Sequence, residues 1–416
     1  MWLPVLVMAI GAALPQAEAK APASTSTCVQ CHQEQEGNLQ QPVTLSADDV
    51  HFKNGLSCHN CHGGDPTIGI DKGGPEDSMS KAKGYIGKPQ RKSIALLCAS
   101  CHSKLEFMRR YNPQARVDQY TEYLTSVHGQ KYRAGDMKVA TCTDCHGAHG
   151  IRSKADPKSP VYAPNVAATC GRCHANKEVM AGYGIPTNQV ELYTRSVHGD
   201  TLIVKRDLAA PTCNSCHGNH GAAPPGVDSV ANVCGQCHVS QWDLFAKSPH
   251  KKAFAENKLP ACASCHDHHD IKKTSDAMLG VEDAAICVSC HDKGSKGYEA
   301  ASAMKADVVK LRSQLDAAHE LLARAERAGM EVSKPLYDLS EGRDRLVRAR
   351  VEVHRFDPAA LRTTLEEGDK IAISAEQSGN KALEDLKFRR KGLAISVVIL
   401  VFMIAMLLLK IRQLGS

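Results

Sequence analysis

Aromatic side chains are scarce: Phe, Trp and Tyr together make up 5% of 416 residues, with only two tryptophans and seven phenylalanines. A chain of this length is enough for two or three domains, and it has few of the bulky rings that ordinarily fill their cores. Something other than its own aromatic side chains must occupy the interior. No nucleic-acid-binding motif accompanies the formal charge of +6, so that charge does not point to such a partner. Long apolar runs are missing everywhere except at the two ends, and no cysteine is left without a neighbour.

At the N-terminus, residues 1–19 run apolar from Trp2 to Leu14 and end in Ala-Glu-Ala, which predicts a secretory signal cleaved before Lys20. The missing Lys or Arg ahead of that run is a departure, and a retained anchor is the alternative, although the run is short for a span. The second apolar segment, Leu393 to Leu409, has seventeen residues and no charge, at the short end for a transmembrane helix. A buried core helix is the alternative. Lys387, Arg389, Arg390 and Lys391 before it outnumber Lys410 and Arg412 after it. That bias favours the N-terminal flank inside, whereas a cleaved signal demands the reverse, and the first hydrophobic segment usually decides. The chain is therefore expected to cross the cytoplasmic membrane once, with its main body in the periplasm.

What is abundant is cysteine, at 18, and histidine, at 20. The cysteines form nine Cys-x-x-Cys pairs, each followed directly by His. In chain order, motifs 1 to 9 are Cys28-Cys31-His32, Cys58-Cys61-His62, Cys98-Cys101-His102, Cys142-Cys145-His146, Cys170-Cys173-His174, Cys213-Cys216-His217, Cys234-Cys237-His238, Cys262-Cys265-His266 and Cys287-Cys290-His291. Cys-x-x-Cys-His is the attachment motif of c-type haem. Two thiols form thioethers to the haem vinyl groups, and the adjacent His becomes the proximal iron ligand. Disulfide staples and zinc knuckles also use Cys-x-x-Cys outside the cytoplasm, but neither requires the following His. Nine covalent haems are the expectation. With ionised propionates they would add roughly −9 when ferric and roughly −18 when reduced, turning a basic chain acidic.

Of the remaining histidines, nine precede residue 300: His51, His59, His128, His149, His198, His220, His250, His268 and His269. Nine haems and nine candidates make full bis-His ligation numerically feasible. Their placement repeats. His128, His198 and His250 each stand 12 to 15 residues before a motif, and His149, His220 and His269 each stand three places after that motif's His. A second motif begins 21 to 28 residues after the first. A worn copy runs from His51 to His102, with Asp65 in place of the trailing His. Repetition of this kind implies stacked units, here haem pairs tied by distal histidines. His59 lies inside an attachment loop and His268 competes with His269, so both are weaker candidates. Met108, Met137, Met180 and Met278 occupy no repeated place and read as packing residues.

From Cys28 to His291 there are 264 residues, roughly 29 per motif, which leaves little room for ordinary elements. A haem-filled, mostly helical and irregular domain over 20–297 is expected. Beyond it, apolar residues recur at spacings of three and four. One seam is Val308, Leu311, Leu315, Ala318, Leu322 and Ala325, and a second runs Leu339, Gly342, Leu346, Ala349, Val353 and Phe356. A third is rich in Gly and Ala: Leu361, Leu365, Gly368, Ala372, Ala375, Gly379, Ala382 and Leu386. Three seams predict an antiparallel helical bundle over 298–390, leading into an anchor and short tail over 391–416. Ala328-Gly329 closes the first helix, and Asp357-Pro358 opens the third. His319 and His354 read as ordinary flank residues of this bundle, with reach to a haem iron the alternative for either.

The Ser-x-His-Gly stretches at Ser126–Gly129 and Ser196–Gly199, with Cys-x-x-Cys-His-Gly-x-His-Gly at Cys142 and Cys213, resemble the multihaem cytochrome c superfamily of class III and doubled-CXXCH type, with bis-His haems. The tail, with VHRFDP at 353–358 and RRKGL before the apolar run, looks like the bundle of membrane-anchored periplasmic members. The resemblance implies a relay of electrons between a membrane quinol-oxidising complex and soluble or outer-membrane redox proteins. Its rival is a multihaem oxidoreductase of nitrite, hydroxylamine or tetrathionate type, with one open catalytic haem. Nitrite reductases of that kind commonly carry Lys in place of a motif His, and this chain has none. An open site would fall first at Cys28-Cys31, where histidines are fewest.

Overall fold

The computed structural model describes residues 26–222, 224, 227 and 229–415, so the signal segment expected over 1–19 lies outside the described residues. It is helical and irregular, with no strand among the described residues. Two compact units divide it, the first reaching Val227 and the second made of the residues that follow. Motifs 1 to 6 belong to the first and motifs 7 to 9, with the bundle, to the second.

Among the described residues five helices exceed ten residues: α1 (Arg91–His102), α2 (Ala163–His174), α3 (Lys296–Arg327), α4 (Ser333–Glu352) and α5 (Pro358–Leu414). The first two end on the proximal histidines of motifs 3 and 5. Around them lie short helical turns, several of which are the attachment motifs themselves. Apolar packing here is sparse. In the first unit Ala95, Tyr123, Tyr132 and Val139 form a buried cluster of only four residues.

The bundle is the opposite case. Met304, Val308, Leu311, Leu315, Leu322, Leu339, Leu346, Leu361 and Leu365 are buried in one continuous cluster with the alanines of all three helices. A fully buried leucine contributes about 1.5–3 kcal/mol, so these seams stabilise the bundle without any cofactor. Close approach needs the glycines. A Cβ on Gly368 would come 2.7 Å from Leu311, and one on Gly379 would come 2.8 Å from Leu321. Gly329, at φ +80°, turns the chain out of α3. Asp357 caps α5 by accepting from the backbone N–H groups of Ala359 and Ala360, with Pro358 in the first turn.

α5 continues without a break from the bundle into the apolar segment. Leu393, Ile399, Phe402 and Leu407 are exposed along it, which removes the buried-core alternative for this run. By length and composition it is able to cross a membrane once.

Candidate functional site

Motifs 2, 4 and 6 are short capped turns, whereas motif 8 forms its turn without a side-chain cap. Ser57, Thr141 and Thr212 stand before motifs 2, 4 and 6, and each forms a capping box with the residue before the second cysteine, Asn60, Asp144 or Ser215. The residue after the motif His then adopts positive φ, at Gly63, Gly147, Gly218 and, in motif 8, Asp267. Glycine is free to do so, and Asp is among the few others that tolerate it. This geometry presents two thiols and an imidazole from a single turn.

Distal segments are built by a second device. Ser126 donates to the Tyr123 carbonyl at 2.6 Å and accepts from the Gly129 N–H at 3.1 Å, so His128 starts a new helix directly after the old one ends. A Cβ on Gly129 would lie 1.9 Å from the Tyr123 oxygen, which is why glycine follows the histidine. Ser196, Tyr193 and Gly199 repeat the arrangement around His198. At His250 only part survives: Ser248 donates to the Phe245 carbonyl, and Lys251 replaces the glycine. At His51 the cap is Asp49, which accepts from the His51 N–H at 2.8 Å and lies 3.1 Å from its Nδ1. Burial opposes the Asp49 charge, but hydrogen bonds from His51 and Ile151 outweigh it and hold the carboxyl below its usual range. Tyr123 and Tyr193 then donate to the carbonyls of Ala140 and Pro211, the residues just before the capping threonines of motifs 4 and 6. The distal segments of His128 and His198 are thereby tethered to the motifs that follow them.

Imidazoles face each other in pairs across a constant gap. His51 and His102 lie 6.0 Å apart between ring centroids, His62 and His149 6.0 Å, His128 and His174 6.0 Å. His146 and His220 are 6.2 Å apart, His250 and His291 5.8 Å, and His266 and His354 6.1 Å. Direct stacking would bring rings closer. Two metal–nitrogen bonds of about 2.0–2.1 Å, plus about 1.1 Å from each nitrogen to its ring centre, require about 6.3 Å. The donor set therefore fits a six-coordinate iron held between two imidazoles. Burial pushes His102, His128, His146, His149, His174, His220, His250, His266 and His354 below the ordinary histidine value, and the neutral ring is the ligating form.

Not every sequence-derived candidate is so placed. His268 is 70% exposed and pairs with Asp267, its Nδ1 2.9 Å from the carboxylate. His59 is half-buried within motif 2, with an unpartnered Nδ1. Neither faces a proximal imidazole among the described residues. Asp65, at the place of a trailing histidine, binds Thr67 and Lys83 instead. His319 is exposed on α3, as a flank residue should be. His354, read from sequence in the same way, instead stands opposite His266. The usable signal for it was that no tenth motif follows to supply a trailing histidine for motif 8.

Successive motifs touch. Cys98 lies beside Cys142, Cys170 beside Cys213, and Cys234 beside Cys262, bringing together motifs 3 and 4, 5 and 6, and 7 and 8. Cys28 lies within electrostatic range of Cys58, Cys61 of Cys101, Cys145 of Cys173, and Cys265 of Cys287. Chain order is thus also spatial order through each stretch.

The doubled CXXCH motif family matches residues 135–179 and 251–296, and the family of cytochrome c554 and c-prime matches residues 11–63. A multiheme cytochrome MtrA from Shewanella baltica is 28% identical over 148 residues, which cover 32% of this chain and 39% of that protein. The chain thus matches well under half the length of that relative. No solved structure matches. Nine attachment motifs, imidazoles paired across an iron-sized gap, and these likenesses together make the chain a multihaem c-type cytochrome.

Proposed function

We propose that the chain carries nine covalent haems and works as an electron relay. It would stand on the periplasmic face of the cytoplasmic membrane, between a quinol-oxidising membrane complex and soluble or outer-membrane redox proteins. Bound haem supplies a one-electron iron couple; the protein supplies order, ligands and closure. The carrying observation is the set of facing imidazoles. Two neutral histidines on one iron leave no position for substrate, and a catalytic metal site keeps one open. Contacts between successive motifs support passage along the chain.

One observation favours a second reading at one place only. Among the described residues no imidazole faces His32, whose Nδ1 lies 3.1 Å from the Leu39 carbonyl. An open iron, and with it an oxidoreductase activity, would sit at motif 1.

Haem stoichiometry and spin state test both. Mass spectrometry of the purified chain should give nine haems, and a value of five or six would defeat the count. The relay reading expects ferric paramagnetic resonance with low-spin signals only and no response to carbon monoxide, nitrite or hydroxylamine. A high-spin signal with one ligand bound per chain would move the assignment to motif 1 and to catalysis.

A further inference from the structure

The facing pairs obey a register. A histidine ahead of an even-numbered motif faces the proximal histidine of the next motif: His51 to His102, His128 to His174, His250 to His291. A histidine trailing an even-numbered motif faces the proximal histidine two motifs back: His149 to His62 and His220 to His146. By this register motif 8 needs a histidine trailing a tenth motif, and the chain has nine. We propose that His354, at the corner between α4 and α5, supplies that missing distal ligand to the iron at Cys262-Cys265-His266, so that the helical bundle is part of the redox site.

Three observations carry this. His354 and His266 are 6.1 Å apart with ring planes 25° from parallel, within the range of the other pairs. The His354 Nδ1–H donates to the Val351 carbonyl at 2.9 Å, which leaves Nε2 as the free nitrogen. Proximal His62 is held in the same manner by the Gly87 carbonyl at 2.8 Å. The corner is also seated twice more on the last motifs. Phe356, in the left-handed region at φ +55°, packs its ring 4.0 Å from that of His250, which faces His291. Asp276, ten residues past His266, accepts from Arg350 on α4 and Arg312 on α3. The bundle is therefore fixed against motifs 8 and 9 at several points, and His354 is the one that reaches an iron.

The inference rests on haem attachment at motif 8, so the experiment checks that first. In the full-length, haem-loaded chain, haem is mapped onto the peptide bearing Cys262 and Cys265. A bare peptide overturns the attachment and the inference with it. With haem present, His354→Ala is expected to convert one low-spin centre to high-spin and to raise carbon monoxide binding by one per chain over wild type. Added imidazole should reverse both changes. His354→Met guards against a loosened corner: every haem should stay low-spin while one couple moves upward. His319→Ala on α3 should match wild type throughout. Unchanged spin state and ligand binding in His354→Ala, with an unchanged titration in His354→Met, would overturn the assignment while leaving the relay reading standing.

Discussion

Arg91, at the start of α1, donates to both oxygens of Asp144, at 3.2 and 2.8 Å, and so ties the helix that ends in motif 3 to the turn that forms motif 4. Arg91 also donates to the Val139 carbonyl at 2.7 Å, and Arg172 of motif 5 donates to the Asp144 carbonyl. Asp144 completes the capping box of its own turn as well, accepting from Thr141. Burial opposes its charge, yet these hydrogen bonds hold its carboxyl below the usual range. One residue thus registers three consecutive motifs.

Removing the arginine should therefore loosen motif spacing without removing haem. Arg91→Ala is expected to cost about 1–3 kcal/mol, toward the lower end because both side chains are about one-third exposed. Thermal unfolding checks the cost and haem content checks the attachment. A stability within error of wild type would show that the neighbouring turns hold their positions unaided.

Gly129→Ala should behave against propensity. Alanine in a helix is ordinarily favoured over glycine by about 1 kcal/mol. Here the added Cβ would sit 1.9 Å from a backbone oxygen, a clash that no side-chain rotation relieves. The clash outweighs the propensity, and His128 shifts with its helix. Redox titration should show one altered haem, with the thioethers intact. A titration identical to wild type would mean that the chain absorbs the methyl elsewhere.

Acid sensitivity should be traceable to Asp276. The Arg350 hydrogen bond, then the attraction of Arg350 and Arg312, lowers its carboxyl below the ordinary value of 3.8, against the effect of burial. A depressed carboxyl stabilises the fold above its unfolded value, and that contribution is lost as pH falls through the folded one. The contribution is thus full at neutral pH and is lost progressively as pH falls below 3.8 toward the lower folded value. Asp276→Asn should lower stability at pH 7 and narrow its gap to wild type at pH 3. A gap independent of pH would assign the effect to packing.

Much of this was legible in the residues. The nine motifs, the repeated Ser-x-His-Gly and the three seams are local patterns, and helical spacing fixes which of their positions share a face. Most buried residues of α3, α4 and α5 are those that the spacing marks, but Ala301 and Met304 extend the first seam unmarked, and Val353 and Phe356, marked in the second, lie past the end of α4. The partner of each distal histidine was not legible, because His149 reaches back two motifs and no spacing encodes that direction. Gly129 looked like part of a signature, whereas its cause, the Tyr123 carbonyl, exists only once two helices meet end to end. His354 was hidden by periodicity itself. It lies beside a heptad seam, where a flank residue is the ordinary reading, and its iron partner lies far upstream in sequence.

α5 sets a height. It begins four residues after His354, and its apolar run begins at Leu393, 35 residues beyond Pro358. At 1.5 Å per residue that is about 53 Å of unbroken helix. Where the run spans a bilayer, the corner that faces His266 stands about that far above the lipid. A quinol dissolved in the membrane cannot deliver electrons across such a gap to this end of the array. Whatever docks beside motifs 8 and 9 must rise to meet it from its own membrane seat or arrive from solution.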